Sequence, residues 1–159
     1  MKYRIGIGFD THQLKENIDF WLGGVKISHH KGALGHSDAD TLIHAICDAL
    51  LGAANLGDIG KHFPDSSAEF KGIDSKILLK KVVLLLEKNL YSIGNIDSTI
   101  CLQNPKISNY IPQMKKALSE VINIPESDIS IKATTTEKLG FVGREEGISA
   151  YAIALIQQL

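Results

Sequence analysis

The chain is poor in cysteine and proline, balanced in charge, and without a long apolar run. Its two cysteines, Cys47 and Cys101, stand 54 positions apart with no C-x-x-C spacing. That excludes the disulfide framework of a small secreted domain and points to a reducing, cytoplasmic setting. The four prolines are isolated, and no repeat or low-complexity tract interrupts the chain. We therefore read one domain over residues 1–159. Lys plus Arg number 17 against 18 Asp plus Glu, for a net charge of −1. A near-neutral chain lacks the broad positive surface that nucleic acid requires, so no nucleic-acid partner is expected. No apolar run exceeds seven residues, and the aliphatic run 82–86 has five, against the roughly 20 of a membrane-spanning helix. No membrane association is expected either. Residues 1–10 have no apolar stretch of the signal-peptide kind. A plastid stroma location would require a transit peptide already removed.

What is present is a core and a pattern. Hydrophobic residues make up 44% of 159, so roughly 70 side chains are available to a core, enough for an ordinary domain. Residues 4–10 (RIGIGFD) read as a glycine-containing strand. Residues 20–27 read as a second strand, with Gly23 and Gly24 marking a bulge or tight bend. Helix-period apolar positions begin at Leu42 and continue through Ile43, Ile46, Leu50, Ala53 and Ala54. Ser37 to Asp40 suit a capping box ahead of that helix, and Gly57 suits its end. Residues 60–72 are polar, carry Pro64 and read as a loop. Helices are expected over 75–89 and 109–123, and strands within 93–103, 129–133 and 149–155. The order β-β-α-α-β-α-β-β predicts an α+β fold: an α/β sandwich with one mixed β-sheet and helices on one face. Three helices cover only one face, so a partner subunit is expected over the other.

Three groups of residues carry chemistry. Asp10 and His12 alternate on an extended strand and share a face. They can both reach one divalent ion, although for this common tripeptide taken alone a polar strand end with a solvated histidine is the better reading. Asp40, His44 and Asp48 lie four residues apart and form a polar stripe along the helix, which would hold His44 between carboxylates. Asp10, His12 and His44 together supply oxygen and nitrogen donors and leave one position vacant, the pattern of a catalytic zinc site. The third group is KATTTEK at 132–138. Its three threonines, with Glu137 and Lys138, suit phosphate oxygens and a magnesium ion, or merely a β-branched strand. His29 and His30 read as a solvated loop, Cys47 and Trp21 as packing, and His62 receives no role. No nucleophile elbow, P-loop or dinucleotide fingerprint occurs.

Taken together, GFDTH (8–12), HSDADTLIHAICDALLGAANLGDIGKHFPD (36–65) and KATTTEKLGFVGREEGI (132–148) resemble the family of 2-C-methyl-D-erythritol 2,4-cyclodiphosphate synthases. The likeness runs from Arg4 to about Ile156. It implies a phosphorus–oxygen lyase of the non-mevalonate isoprenoid pathway. Its substrate is 4-diphosphocytidyl-2-C-methyl-D-erythritol 2-phosphate, whose 2-phosphate attacks the β-phosphorus to give the cyclic diphosphate and CMP. It also implies a homotrimer, with sheets facing a central cavity and active sites between adjacent subunits.

Residue by residue, the resemblance makes Asp10, His12 and His44 the zinc ligands and Glu137 the ligand of a second ion, Mg2+ or Mn2+. His36 and Thr135 become the transition-state stabilisers, and Ser37 a phosphate contact. Asp58, Ile59 and Gly60 fall to the methylerythritol pocket, and Phe63, Pro64, Asp65, Ser66 and Ser67 to a mobile loop above it. Leu102, Gln103, Asn104, Pro105, Lys106, Ile107, Ser108 and Ala133 fall to the cytidine pocket. Thr134 and Thr136 belong to the diphosphate turn, and Phe141 and Arg144 to the cavity near the three-fold axis. Two departures stand out: Ala39 replaces an expected glycine, and Glu145 replaces a small residue, placing an extra carboxylate near Arg144. The departure at Glu145 bears on whether the central cavity takes an isoprenoid or an anion. Two rival readings use the same residues. One is a metal-dependent phosphohydrolase with Asp40 or Asp58 as base; the other is a non-catalytic trimeric nucleotide- or metal-binding module.

Overall fold

A 14-residue strand, β1 (Tyr3–Glu16), organises the sheet. The computed structural model describes residues 2–64 and 66–159. Strand β1 pairs antiparallel with β4 (Lys31–Leu34) on one side and with β7 (Gly147–Gln158) on the other. Strand β7 pairs antiparallel with β5 (Tyr91–Cys101), and β5 pairs in parallel with β6 (Ile129–Thr134). The result is a mixed five-stranded sheet in the order β4-β1-β7-β5-β6. Residues 20–27 are not one strand. They form a hairpin, β2 (Phe20–Leu22) and β3 (Val25–Ile27), around Gly23 and Gly24, whose φ angles of 59° and 76° favour glycine.

Helices α1 (Thr41–Ala53), α3 (Ser75–Lys88) and α4 (Ile111–Ile122) cover one face of the sheet, with the short α2 (Ile59–His62) between the first two. Helix α1 lies closest to the strands because β1 turns glycines toward it. A Cβ on Gly8 would stand 1.9 Å from the Ala45 carbonyl oxygen, and one on Gly6 would stand 2.1 Å from that of Ala49. Ala150, Ala152 and Ala154 of β7, all fully buried, continue this floor. Their small size, which weakens the strand signal of 149–155, is what admits the helix.

The other face is different. Ile5 and Ile7 are 74% and 70% exposed, and Phe9, Tyr151 and Ile153 stand beside them at about half. The register pairs Ile7 with Ile153 and Phe9 with Tyr151, so these side chains form one apolar patch. Each such side chain forgoes about 1.5–3 kcal/mol by staying in water.

Several sequence-based bounds shift. Helix α1 is capped by Asp40, whose carboxylate accepts the Ile43 N–H, rather than by Ser37, and it ends at Ala54 before Gly57 is reached. The stretch 60–72 contains most of α2 and a 3-10 turn at Ala68–Phe70. Strand β4 lies where a loop was expected; its four residues are too few to show alternation. A further helical turn, α5 (Gly140–Gly143), precedes β7. No described helix is long and apolar enough to cross a membrane.

Candidate active site

Asp10 and His12 leave β1 on the α1 side, and the close approach at Gly8 brings His44 of α1 down between them. Asp10 Oδ2 lies 3.0 Å from His12 Nε2 and 3.1 Å from His44 Nδ1, and the two ring nitrogens are 3.2 Å apart. Among the described residues this is the one group of three or more His, Cys, Asp or Glu donors that converges on a common point.

The donors fit a metal ion on two grounds. A tetrahedral ion with bonds of about 2.0–2.1 Å has ligand atoms about 3.3 Å apart, close to all three separations. The protons also point away from the centre. His12 Nδ1–H donates to the Leu34 carbonyl at 2.9 Å, so the neutral ring has its lone pair at Nε2. The Ser75 hydroxyl donates to Asp38, so it accepts from His44 Nε2–H at 2.9 Å, and the lone pair of His44 lies at Nδ1. Two lone pairs and a carboxylate that face one another call for a cation.

The electrostatics favour positive charge at this point. Burial raises the Asp10 pKa, but the hydrogen bonds and charges of His12 and His44 outweigh it and hold the carboxyl at about 2. Burial depresses His12, yet Asp10 and the Leu34 carbonyl raise it overall.

The triad opens into a cleft of about 240 Å3 lined also by Gly35, His36, Ser37, Asp48, Ile59, Gly60, Phe63, Phe70 and Leu78. His36 Nε2 meets the Ser67 carbonyl at 3.2 Å, and the His36 carbonyl accepts Gly72 N–H at 2.8 Å, so residues 67–72 are pinned beside the cleft. Phe63 and Phe70 meet edge to face at 5.5 Å with the Lys81 ammonium over both rings. Asp48 accepts Ile59 N–H at 2.7 Å, fixing α2 against α1. Burial, with Asp58 and Asp10 nearby, raises its pKa. Asp58 caps α2 and is exposed. Pro64 and Ser66 are exposed at the edge, and Asp65 lies outside the described residues.

A second cleft, of about 230 Å3, is lined by Leu102, Gln103, Pro105, Lys106, Ile107, Ser108, Ala133, Thr134 and Thr135. Beyond β6 the turn is half-buried at Thr135 and Thr136 and exposed from Glu137 onward. Thr135 Oγ1 donates to Glu137 Oε1 at 3.1 Å, while the Thr134 and Thr136 hydroxyls donate to the carbonyls of Thr135 and Leu139. The strand register puts Asp10, Ala150, Ile100 and Ala133 in one row across the sheet. Three strand spacings, about 14 Å, therefore separate the metal group from the second cleft within one chain.

The YgbB family model matches residues 3–157. The chain belongs to this family. A 2-C-methyl-D-erythritol 2,4-cyclodiphosphate synthase from Bacteroides fragilis is 64% identical over 159 residues, covering all of both chains. One from Parabacteroides distasonis is 62% identical over all of this chain and 99% of its own. Among solved structures, the IspF of Plasmodium falciparum, in complex with CDP, superposes with a TM-score of 0.86. It is 42% identical over 98% of this chain and 96% of its own. The bifunctional IspDF of Campylobacter jejuni superposes with a TM-score of 0.96 at 38% identity over 99% of this chain; the present chain spans 43% of that longer protein.

Against the family pattern, the fold brings Asp10, His12, His36, Ser37, His44, Ile59, Gly60 and Phe63 to one cleft, and the segment 102–108 with Ala133 and Thr134 to the other. It does not bring Glu137 or Thr135 to the triad of the same chain. Three readings from the sequence are corrected. Asp40 is not part of the stripe beside His44. It is fully buried and accepts the N–H groups of Gly23, Gly24 and Ile43, which leaves it no role as a base. Glu145 does not face Arg144. Its carboxylate accepts Asn104 Nδ2–H at 2.7 Å, and Arg144 pairs with Glu146 through two 3.0 Å bonds. Ala39 and Glu145 both adopt left-handed backbone, with φ of 55° and 58°, which explains why glycine suits those positions. Phe141 is partly exposed and packs beside Gly147. Sequence reasoning missed Gly35, Asp48, Phe70 and Leu78 as lining residues; only the i, i+4 spacing of His44 and Asp48 signalled any of them.

Proposed function

We propose that this chain closes 4-diphosphocytidyl-2-C-methyl-D-erythritol 2-phosphate to the 2,4-cyclodiphosphate with release of CMP. The observation that carries this reading is the convergence of Asp10, His12 and His44 in a cleft sized for a small phosphorylated polyol. A zinc ion bound there supplies Lewis-acid neutralisation of phosphate charge and a template for in-line attack. Asp10, His12 and His44 would hold it, and Glu137 would offer its carboxylate to a second ion, Mg2+ or Mn2+.

The chain's own groups do the rest. His36 and Thr135 steady the charge that shifts from attacking to leaving oxygen, and Ser37 orients a phosphate. Ile59, Gly60 and the Asp58 carboxylate at the rim receive the hydroxyls. The segment 102–108 with Ala133 receives the cytidine, a reading supported by the CDP held in the Plasmodium falciparum relative. Phosphoryl transfer asks for little more than alignment and charge compensation.

A diphosphate is too short to bridge 14 Å, so the β6 cleft that completes each site comes from a neighbouring subunit. A trimer with sheets facing inward would cover the Ile5, Ile7, Phe9, Tyr151 and Ile153 patch around a central cavity, with Phe141 and Arg144 near the axis. The unit is one domain over 1–159, and its two free cysteines suit the cytoplasm.

The test is product analysis with the authentic substrate in 18O-water. Cyclisation releases CMP without solvent oxygen in the other product. A phosphohydrolase incorporates solvent oxygen, and a binding module releases nothing; either result defeats the reading.

A further inference from the structure

Ser75 stands at the first turn of α3, fully buried and far in sequence from every metal ligand. Its hydroxyl accepts His44 Nε2–H at 2.9 Å and donates to Asp38 Oδ1, while its own N–H donates to Asp38 Oδ2 at 3.0 Å. Asp38 is fixed in turn: its N–H donates to the Ile73 carbonyl at 3.1 Å, and its carboxylate accepts Asp40 N–H at 3.2 Å. A carboxylate, a hydroxyl and an imidazole thus form a chain with one self-consistent proton order, ending in a lone pair on His44 Nδ1.

We infer that Ser75, backed by Asp38, is a positioning residue that sets the tautomer and ring orientation of His44 and so the metal affinity of the triad. An imidazole that can donate its outer N–H to an acceptor polarised by a carboxylate is a stronger ligand, and it does not spend energy selecting the right tautomer on binding. His12 has the same arrangement with the Leu34 carbonyl. The two rings differ in what holds them: a backbone group of edge strand β4 for His12, a side chain of α3 for His44. The Ser37 hydroxyl also lies 3.1 Å from His44 Nε2, but it already accepts Ala39 N–H and has no carboxylate behind it. It is the weaker acceptor.

This inference rests on the metal reading of the triad, and the experiment separates the two. Ser75→Ala removes the hydroxyl but keeps the N–H that anchors α3 to Asp38. Zinc affinity is measured by competition with a chromophoric chelator, using zinc alone. The His44 ring is followed by 15N NMR in the metal-free protein. Wild type is expected to bind one zinc per chain and to show the Nε2–H tautomer. Ser75→Ala is expected to weaken zinc binding by about 10- to 100-fold and to give mixed tautomers, with Ser75→Thr restoring both. Should the alanine variant not fold, Ser75→Cys, a poorer acceptor of similar size, is expected to fall between the two. Wild-type affinity within twofold, or an unchanged tautomer, in Ser75→Ala, or in Ser75→Cys should the alanine variant not fold, would overturn the inference and leave the triad intact. Absence of zinc binding in wild type itself would overturn both.

Discussion

At the β1 end of the sheet, the metal-ligating side chains are gripped from three sides; at the β6 end, the polar side chains stand in solvent and bond mostly to one another and to nearby backbone. Asp10, His12 and His44 are partly buried, and each imidazole has its outer N–H held, His12 by the Leu34 carbonyl and His44 by the Ser75 hydroxyl. Thr134 and Glu137 are exposed and Thr135 and Thr136 half-buried, and Glu137 and Lys138 sit in left-handed backbone with φ of 52° and 65°. The difference teaches what each end needs. A metal site has to be built before the ligand arrives, because misplaced donors cost affinity. A turn that takes up a diphosphate, as proposed for 134–137, would need only donors that can exchange a local partner for a phosphate oxygen.

The comparison yields graded expectations. His44→Ala strikes the built end and is expected to lower CMP release on the order of 10³-fold, about 4 kcal/mol, with loss of bound zinc by elemental analysis. Glu137→Ala strikes the open end. It should lower turnover by about 10²-fold, about 2.7 kcal/mol, while zinc content stays at the wild-type level. Equal zinc loss in both variants would erase the distinction between the two ends.

Gly8→Ala probes the packing that delivers His44. With 1.9 Å available between the new Cβ and the Ala45 carbonyl, α1 has to move. Stability is expected to fall by about 3 kcal/mol in denaturant titration, and zinc affinity with it. Glu145→Gly should be the mildest. It relieves about 1–2 kcal/mol of left-handed strain, loses an exposed hydrogen bond of about 0.5–1.5 kcal/mol, and frees the unfolded chain by about 0.4–1 kcal/mol. These offset, so the melting temperature should hardly change. KM for the cytidyl substrate should rise a few-fold, because Asn104 loses its tether next to the second cleft.

Much of the built end was legible in the sequence. Alternation on an extended strand puts Asp10 beside His12, and the apolar period of α1 fixes which face carries His44. The glycines of RIGIGFD were legible only as part of a strand; that α1 packs onto them was not. The outer contacts were not legible. Ser75 meets Asp38 across 37 residues because two loops run side by side, and no local period encodes that. Asp40 looked like part of the polar stripe because i, i+4 spacing assumes a helix already begun. As the cap its side chain turns back to the N–H groups of the β2–β3 turn. Glu145 was placed by chain proximity to Arg144, but its left-handed backbone turns the side chain toward Asn104.

The claim on which everything else depends is that one subunit's triad works with the next subunit's Glu137. Co-expression of His44→Ala with Glu137→Ala, each nearly inactive alone, tests it directly through CMP release. If sites are shared between neighbours, random mixing leaves about a quarter of them with both groups intact, and about a quarter of wild-type activity should return. Activity no greater than that of the separate variants would contradict the account.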